Sequence, residues 1–242
     1  SIVMTVYNKD KYVDMSIKSI INQSYTNYEL IIIEDCSTDN SKNIINKYIN
    51  HPKIKIFYNE KNIGCYACRN IAIEKSTGDI IAFQDADDYS MKCRIEKQVL
   101  FMLQHKLLLC GCNIIRSNIE NLLFDNEDDL LLQLHNDNGK KYFGFVTLMI
   151  YKSVFDRNGK YIERRKGMDM EYGERILFNE CHIKFNKEDS WSFFNRNKND
   201  VYMKINEILY ICPKMNNLNV TIYEPDDQYL KKRLWRDSYI MH

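Results

Sequence analysis

The feature that most constrains this chain is the regular alternation, over residues 1–90, of short apolar β-branched runs with segments of helical periodicity. Ser1 to Val6 is an apolar run, and Tyr7 to Lys11 is a polar loop. Val13, Ile17, Ile20 and Ile21 recur at helical spacing and predict a helix from about Tyr12 to Gln23. Glu29 to Ile33 reads as a strand buried on both faces, as in a parallel sheet. Ser37 to Asn40 offers a turn and a cap, with Ser37 or Asp39 capping, and Ile44, Ile45, Tyr48 and Ile49 mark the next helix. A third strand is predicted over Ile54 to Tyr58, a helix over about Tyr66 to Lys75, and a fourth strand over Ile80 to Phe83. Strand and helix in this order imply a doubly wound parallel sheet. Ligands of such sheets bind beyond the carboxyl ends of the strands, which selects three loops: Tyr7 to Lys11, Glu34 to Asp39 and Gln84 to Asp88.

Beyond Ser90 the pattern loosens. A helix is expected from about Met91 to His105, strands over Leu107 to Ile115 and Phe143 to Tyr151, a helix over Asp169 to Asn179, and a short strand over His182 to Phe185. Asn118 to Asn138 fits a helix pair or a flap, and residues 200–242 a strand and a terminal helix. With 8 Gly, 3 Pro and no linker-like stretch, residues 1–242 are expected to form one domain with two functional halves, 1–90 and 91–242.

Lys+Arg 34 against Asp+Glu 33 leaves a net charge of +1, so no global field holds nucleic acid or an anionic membrane, and any anion site must be local. The longest apolar runs fall far short of the ~20 residues that span a bilayer. A soluble, cytoplasmic piece of a larger protein or mature fragment is therefore expected, because the chain opens on a strand without an initiator Met. The eight cysteines lack paired CxxC spacing and are expected to be reduced and mostly buried, with Cys65 and Cys68 as the alternative redox pair.

The most informative cluster is Phe-Gln-Asp-Ala-Asp-Asp, Phe83 to Asp88. Asp85 and Asp87 flank a small Ala86 just past a buried strand, so both carboxylates can turn toward one point. Like charges so close repel, and a divalent cation, Mn²⁺ or Mg²⁺, relieves the repulsion through hard oxygen ligands. The competing reading is a solvated turn in which Asp87 or Asp88 caps the following helix. In the second loop, Asp35 is placed to accept the ring N–H of a pyrimidine base. Arg69 and Asn70, opening the helix after Asn62-Ile63-Gly64, offer donors where a base or ribose lies.

The segments SIVMTVYNKDKYVDMSIKSIINQSYTNYELIIIEDCSTDNS, NIGCYACRN and TGDIIAFQDADD, in this order, resemble the nucleotide-binding half of inverting family 2 glycosyltransferases of GT-A fold. The resemblance implies a Rossmann-like, mostly parallel sheet flanked by helices, followed by a less regular acceptor-binding half. It implies a nucleotide-sugar donor, by family habit a UDP-sugar, and a glycan, lipid or protein acceptor. Thr5, Tyr7, Asp35 and Arg69 are implied around the nucleoside, Asp85 at the ribose or metal, and Asp87 at the metal bridging the diphosphate. Glu34, where Asp is frequent, and Gln84, where an apolar residue is usual, depart from the pattern. RRKGMDMEYGERI, Arg164 to Ile176, resembles the segment that carries the catalytic acid, with Asp169 as the base that deprotonates the acceptor. Glu171 is expected near an acceptor hydroxyl, Arg164, Arg165 and Lys166 at the diphosphate, and Trp191 stacked on an acceptor sugar. Lys187 falls near the place of a further metal or phosphate contact.

A nucleotidyltransferase needs a Gly-rich phosphate loop after the first strand, which VYNKDKY lacks, and a nicotinamide enzyme needs a GxGxxG that is absent. The remaining rival is a non-catalytic domain kept for binding or assembly. Against it stand Asp85, Asp87 and Asp169, three acids expected to be unpaired around one crevice.

Overall fold

A computed structural model describes residues 1–117, 141–163, 168–181 and 202–213. The first half follows the predicted alternation: β1 (Ile2–Val6), α1 (Val13–Ile21), β2 (Leu30–Glu34), α2 (Ser41–Asn46), β3 (Ile54–Tyr58), α3 (Cys65–Lys75) and β4 (Ile80–Asp85). It continues with β5 (Tyr89–Ser90), α4 (Arg94–His105), β6 (Leu109–Ser117), β7 (Lys141–Phe143), β8 (Met149–Tyr151), α5 (Lys152–Asn158), α6 (Met168–Cys181) and β9 (Tyr202–Pro213). The strands join in the order β3-β2-β1-β4-β8-β6-β9-β5, with β7 on β6.

β1 pairs in parallel with β2 and β4, and β2 with β3, as a doubly wound sheet requires. The sheet then turns mixed: β8 runs antiparallel to both β4 and β6, while β6 and β9 are parallel. This is the GT-A arrangement, a Rossmann-like half continued by an irregular one.

Period-two alternation divides the strand side chains between two cores. Ile2, Met4, Val6, Leu30, Ile32 and Ala82 pack with Val13, Ile17 and Ile20 of α1 and with Ile95, Val99 and Met102 of α4. Val3, Ile31, Ile33, Ile81 and Phe83 pack on the other face with Cys68 and Ala72 of α3, Phe155 of α5 and Tyr172 of α6. β2 is buried throughout, which explains its near-continuous apolar sequence.

The single strand expected over Phe143 to Tyr151 is divided by a 3₁₀ turn, Phe145–Thr147. Thr147 donates its N–H (2.9 Å) and its hydroxyl (2.8 Å) to the Gly144 carbonyl, which closes that turn. A Cβ on Gly144 would run into the tip of the Ile114 side chain, which would have to shift to admit it. The segments expected over Asn118 to Asn138 and His182 to Phe185, and the terminal helix, lie outside the described residues. No helix among the described residues is long and apolar enough to cross a membrane. Of the cysteines, Cys68, Cys110 and Cys112 are buried, Cys36 and Cys93 are half-buried and Cys65 is exposed.

Candidate active site

The site is built at the carboxyl end of β4, where alternation sends neighbouring side chains to opposite faces. Gln84 points to the α1 and α4 side: its amide donates to Ser16 Oγ (3.0 Å) and to the Asp88 carbonyl (2.8 Å), and its carbonyl accepts from Ser90 Oγ and Arg94 Nη1. Asp85 points to the α3 side, where Arg69 Nη2 donates to its carboxylate at 3.2 Å. The turn Asp85 to Asp88 is thereby held from beneath. Ser16 Oγ donates to the Asp85 carbonyl, and the Asp85 N–H donates to the Tyr210 hydroxyl. Neither Asp87 nor Asp88 caps a helix, since α4 begins at Arg94 with Cys93 in the cap position.

Carboxylate oxygens of Asp85, Asp87 and Asp88 lie within 4.8 Å of one another. Three hard-oxygen donors in that space fit a Mg²⁺- or Mn²⁺-type ion, and Asp88 joins the two acids expected from sequence. The cluster is already partly neutralised: Lys9 Nζ lies 2.6 Å from Asp87 Oδ2. Burial alone would lower the Lys9 pKa, but Asp87, reinforced by Asp85 and Asp88, outweighs it and raises it. Burial pushes the Asp85 carboxyl up to about 6, with Arg69 opposing and Asp87 and Asp169 adding to the rise.

The two loops beside the acids are knitted together. The Asn8 N–H donates to Ser37 Oγ, the Thr38 N–H to Asn8 Oδ1, the Lys9 N–H to Ser41 Oγ and the Asp10 N–H to Asp39 Oδ2. Ser37 joins the loops instead of capping α2, whereas Asp39 does both: its Oδ2 takes the Asp10 N–H and its Oδ1 accepts from the N–H of Ser41, the first residue of α2, at 2.9 Å. Glu34 is buried and accepts from the Ser37 N–H at 2.7 Å. Asp35, 1% exposed, accepts from Asn59 Nδ2 (2.8 Å) and from the N–H groups of Ile63 and Gly64 (both 2.9 Å). Thr5 sits beside Asp85 in the β1–β4 register, and Tyr7, just past β1, is 44% exposed.

Arg69 and Asn70 are both buried, Arg69 against the site acids and Asn70 against the Tyr161 backbone. Arg69 is buried among the rings of Phe83 (5.1 Å), Tyr66 (5.4 Å) and Tyr161 (5.9 Å). Its guanidinium bridges Asp85 and Asp169, bringing an acid of the first half and an acid of the second onto one cation. The Tyr66 hydroxyl donates to the other Asp169 oxygen at 3.0 Å. Asn70 clamps the Tyr161 backbone, donating to its carbonyl and accepting from its N–H.

The three acids expected to be unpaired all have cationic partners: Lys9 for Asp87, and Arg69 for Asp85 and Asp169. Glu171 is buried and forms a two-bond pair with Arg175, 2.8 and 2.5 Å, within α6. Arg164, Arg165, Lys166, Lys187 and Trp191 lie outside the described residues. Sequence reasoning missed Lys9, Tyr66 and Asp88; the first was readable as the basic residue nearest β1 in a loop adjoining an acidic turn.

A sequence profile described as Glycosyl transferase family 2 matches residues 1–173. An uncharacterised glycosyltransferase of Haemophilus influenzae is 46% identical over 121 residues, which cover 50% of this chain and 48% of that protein. The chain thus spans about half the length of that relative. The O-antigen biosynthesis glycosyltransferase WbnJ of Escherichia coli is 36% identical over 194 residues, covering 75% of this chain and 72% of its own. Among solved structures, S. aureus TarS 1–349 in complex with UDP-GlcNAc superposes with a TM-score of 0.67 at 17% identity, over 95% of this chain and 63% of that one. The mannosyltransferase PcManGT of Pyrobaculum calidifontis, in complex with GDP-Man and Mn²⁺, gives a TM-score of 0.59 at 14% identity, over 88% and 55%. Both structures share the fold. With the profile spanning well over half of the sequence and the acids gathered where such a sheet binds its ligands, the chain belongs to glycosyl transferase family 2.

Proposed function

We propose that the chain transfers a sugar from a nucleoside-diphosphate donor, preferentially a UDP-sugar, to a hydroxyl of a glycan, lipid or protein acceptor, with inversion at the anomeric carbon. The observation that carries this reading is the placing of Asp85, Asp87 and Asp88 on one side of Arg69 and of Asp169 on the other. Thr5, Tyr7 and Asp35 line the loops on which the nucleoside lies in this reading. TarS in complex with UDP-GlcNAc and PcManGT in complex with GDP-Man and Mn²⁺ support a nucleotide-sugar and a divalent cation in sites of this fold.

Asp87, Asp85 and Asp88 would hold the ion. When bound, a divalent cation neutralises charge on the departing diphosphate. Asp169 takes the proton of the acceptor hydroxyl; that oxygen forms the new bond to the anomeric carbon, and the old carbon–oxygen bond breaks with its electron pair leaving on the diphosphate. Arg69 and Tyr66 hold both oxygens of Asp169, which fixes the carboxylate plane before the acceptor arrives.

Thermal unfolding tests the donor site. Mn²⁺ with a nucleoside diphosphate at ~100 times its Kd adds about 2.7 kcal/mol to stability. For a chain of this size that corresponds to a rise in Tm of roughly 5–10 °C. Asp87→Asn is expected to abolish the rise. If no nucleoside diphosphate shifts the melt of the unaltered protein in the presence of metal, the reading fails.

A further inference from the structure

The loop that carries Lys9 is fixed by its backbone. The Lys9 N–H donates to Ser41 Oγ at 2.7 Å, the Asp10 N–H to Asp39 Oδ2 at 3.0 Å, and the Lys9 carbonyl accepts from the N–H groups of Tyr12 and Val13. Asn8 adopts a left-handed conformation, φ 53°, which turns the chain just before Lys9. β1 and β4 are adjacent parallel strands in the register Thr5↔Asp85, so this loop emerges beside the acidic turn. The scaffold therefore directs the ammonium to Asp87, and the pair is half-screened, with side chains 33% and 20% exposed.

A divalent ion held by Asp85, Asp87 and Asp88 shares the Asp87 carboxylate with the Lys9 ammonium. Two cations on one carboxylate repel, so binding the ion weakens the hold of Asp87 on the ammonium and favours its release. A displaced ammonium on a pinned loop stays within a side chain's length of the ion and meets the anion that accompanies it, the diphosphate. We propose that Lys9 is a built-in counter-ion of the acid cluster: it neutralises Asp87 in the metal-free protein, competes with the divalent cation, and passes to the diphosphate when both ligands bind. Metal and nucleotide then bind cooperatively. This inference rests on the metal-site reading above.

The test measures Mn²⁺ affinity by electron paramagnetic resonance of the free ion, with and without UDP, in the unaltered protein, Lys9→Met, Lys9→Gln and Asp87→Asn. Without nucleotide, both Lys9 variants are expected to bind Mn²⁺ about fivefold tighter, the fold-change of a half-exposed ion pair. The gain in Mn²⁺ affinity produced by UDP is expected to shrink in both. Unchanged or weaker Mn²⁺ binding by both variants overturns the inference, as does an undiminished UDP gain. If instead the unaltered protein binds Mn²⁺ no better than Asp87→Asn even with UDP, the metal-site reading itself falls, and the inference with it.

Discussion

At the scale of single residues, the arrangement turns on Arg69. A planar guanidinium reaches two carboxylates at once, and here it joins Asp85 to Asp169 while its faces lie against aromatic rings. Asp169→Asn keeps the size of the side chain and removes the proton acceptor. Transfer is expected to fall by ~10²–10⁴-fold, while the thermal shift from Mn²⁺ and nucleotide stays as in the unaltered protein. Loss of both responses would make Asp169 part of the donor scaffold. The acids themselves were legible in the sequence because acidity after a buried strand is unusual. Their partners were not: which cation crosses from α3 or from the β1–α1 loop depends on the facing of strands that only the folded sheet determines. Glu171 illustrates the same limit. An acid two residues from the expected base reads as functional, but the i,i+4 spacing to Arg175 makes it half of a buried helix pair.

At the scale of elements, the loop into α3 depends on one backbone conformation. Gly64 has φ 90° and ψ 156°, a region that side chains with a Cβ rarely adopt. Its N–H donates to Asp35, so the conformation and the buried carboxylate support each other. A Cβ here meets nothing within 4 Å, which makes the cost of Gly64→Ala purely one of backbone strain. That strain is about 1–3 kcal/mol, with nucleotide affinity expected to weaken as the loop around Asp35 shifts. Equilibrium denaturation and nucleotide titration check both; unchanged stability would mean that the loop does not need this conformation. The long elements followed directly from hydrophobic period, and β3 matched its expected limits of Ile54 to Tyr58. β5, two residues long, and α5, under two turns, carry too few side chains to show any period.

At the scale of the whole molecule, the two halves meet in a buried polar network that the sequence did not disclose. Arg94 is fully buried, and its guanidinium donates to five neutral acceptors: Gln98 Oε1, Gln84 Oε1, Ser90 Oγ and the carbonyls of Phe83 and Val146. The Tyr210 ring lies 4.7 Å from it. Phe83 and Gln84 belong to residues 1–90, Val146 and Tyr210 to residues 91–242, and the pairing of β5 with β9 reinforces the junction. Gln84 stands where the family resemblance leads one to expect an apolar residue, and its polar side chain is what Arg94 and Ser90 require. Arg94→Met keeps much of the apolar stem but leaves buried oxygens of Gln84, Gln98 and two carbonyls short of a donor. Each unsatisfied group costs on the order of 1 kcal/mol or more, so a loss of about 3 kcal/mol is expected. For a chain of this length that lowers Tm by roughly 6–12 °C. If residues 1–242 act as one cooperative domain, calorimetry of the variant still shows a single transition, shifted down as a whole. Two separated transitions would show instead that the halves fold independently and that the network merely lies between them.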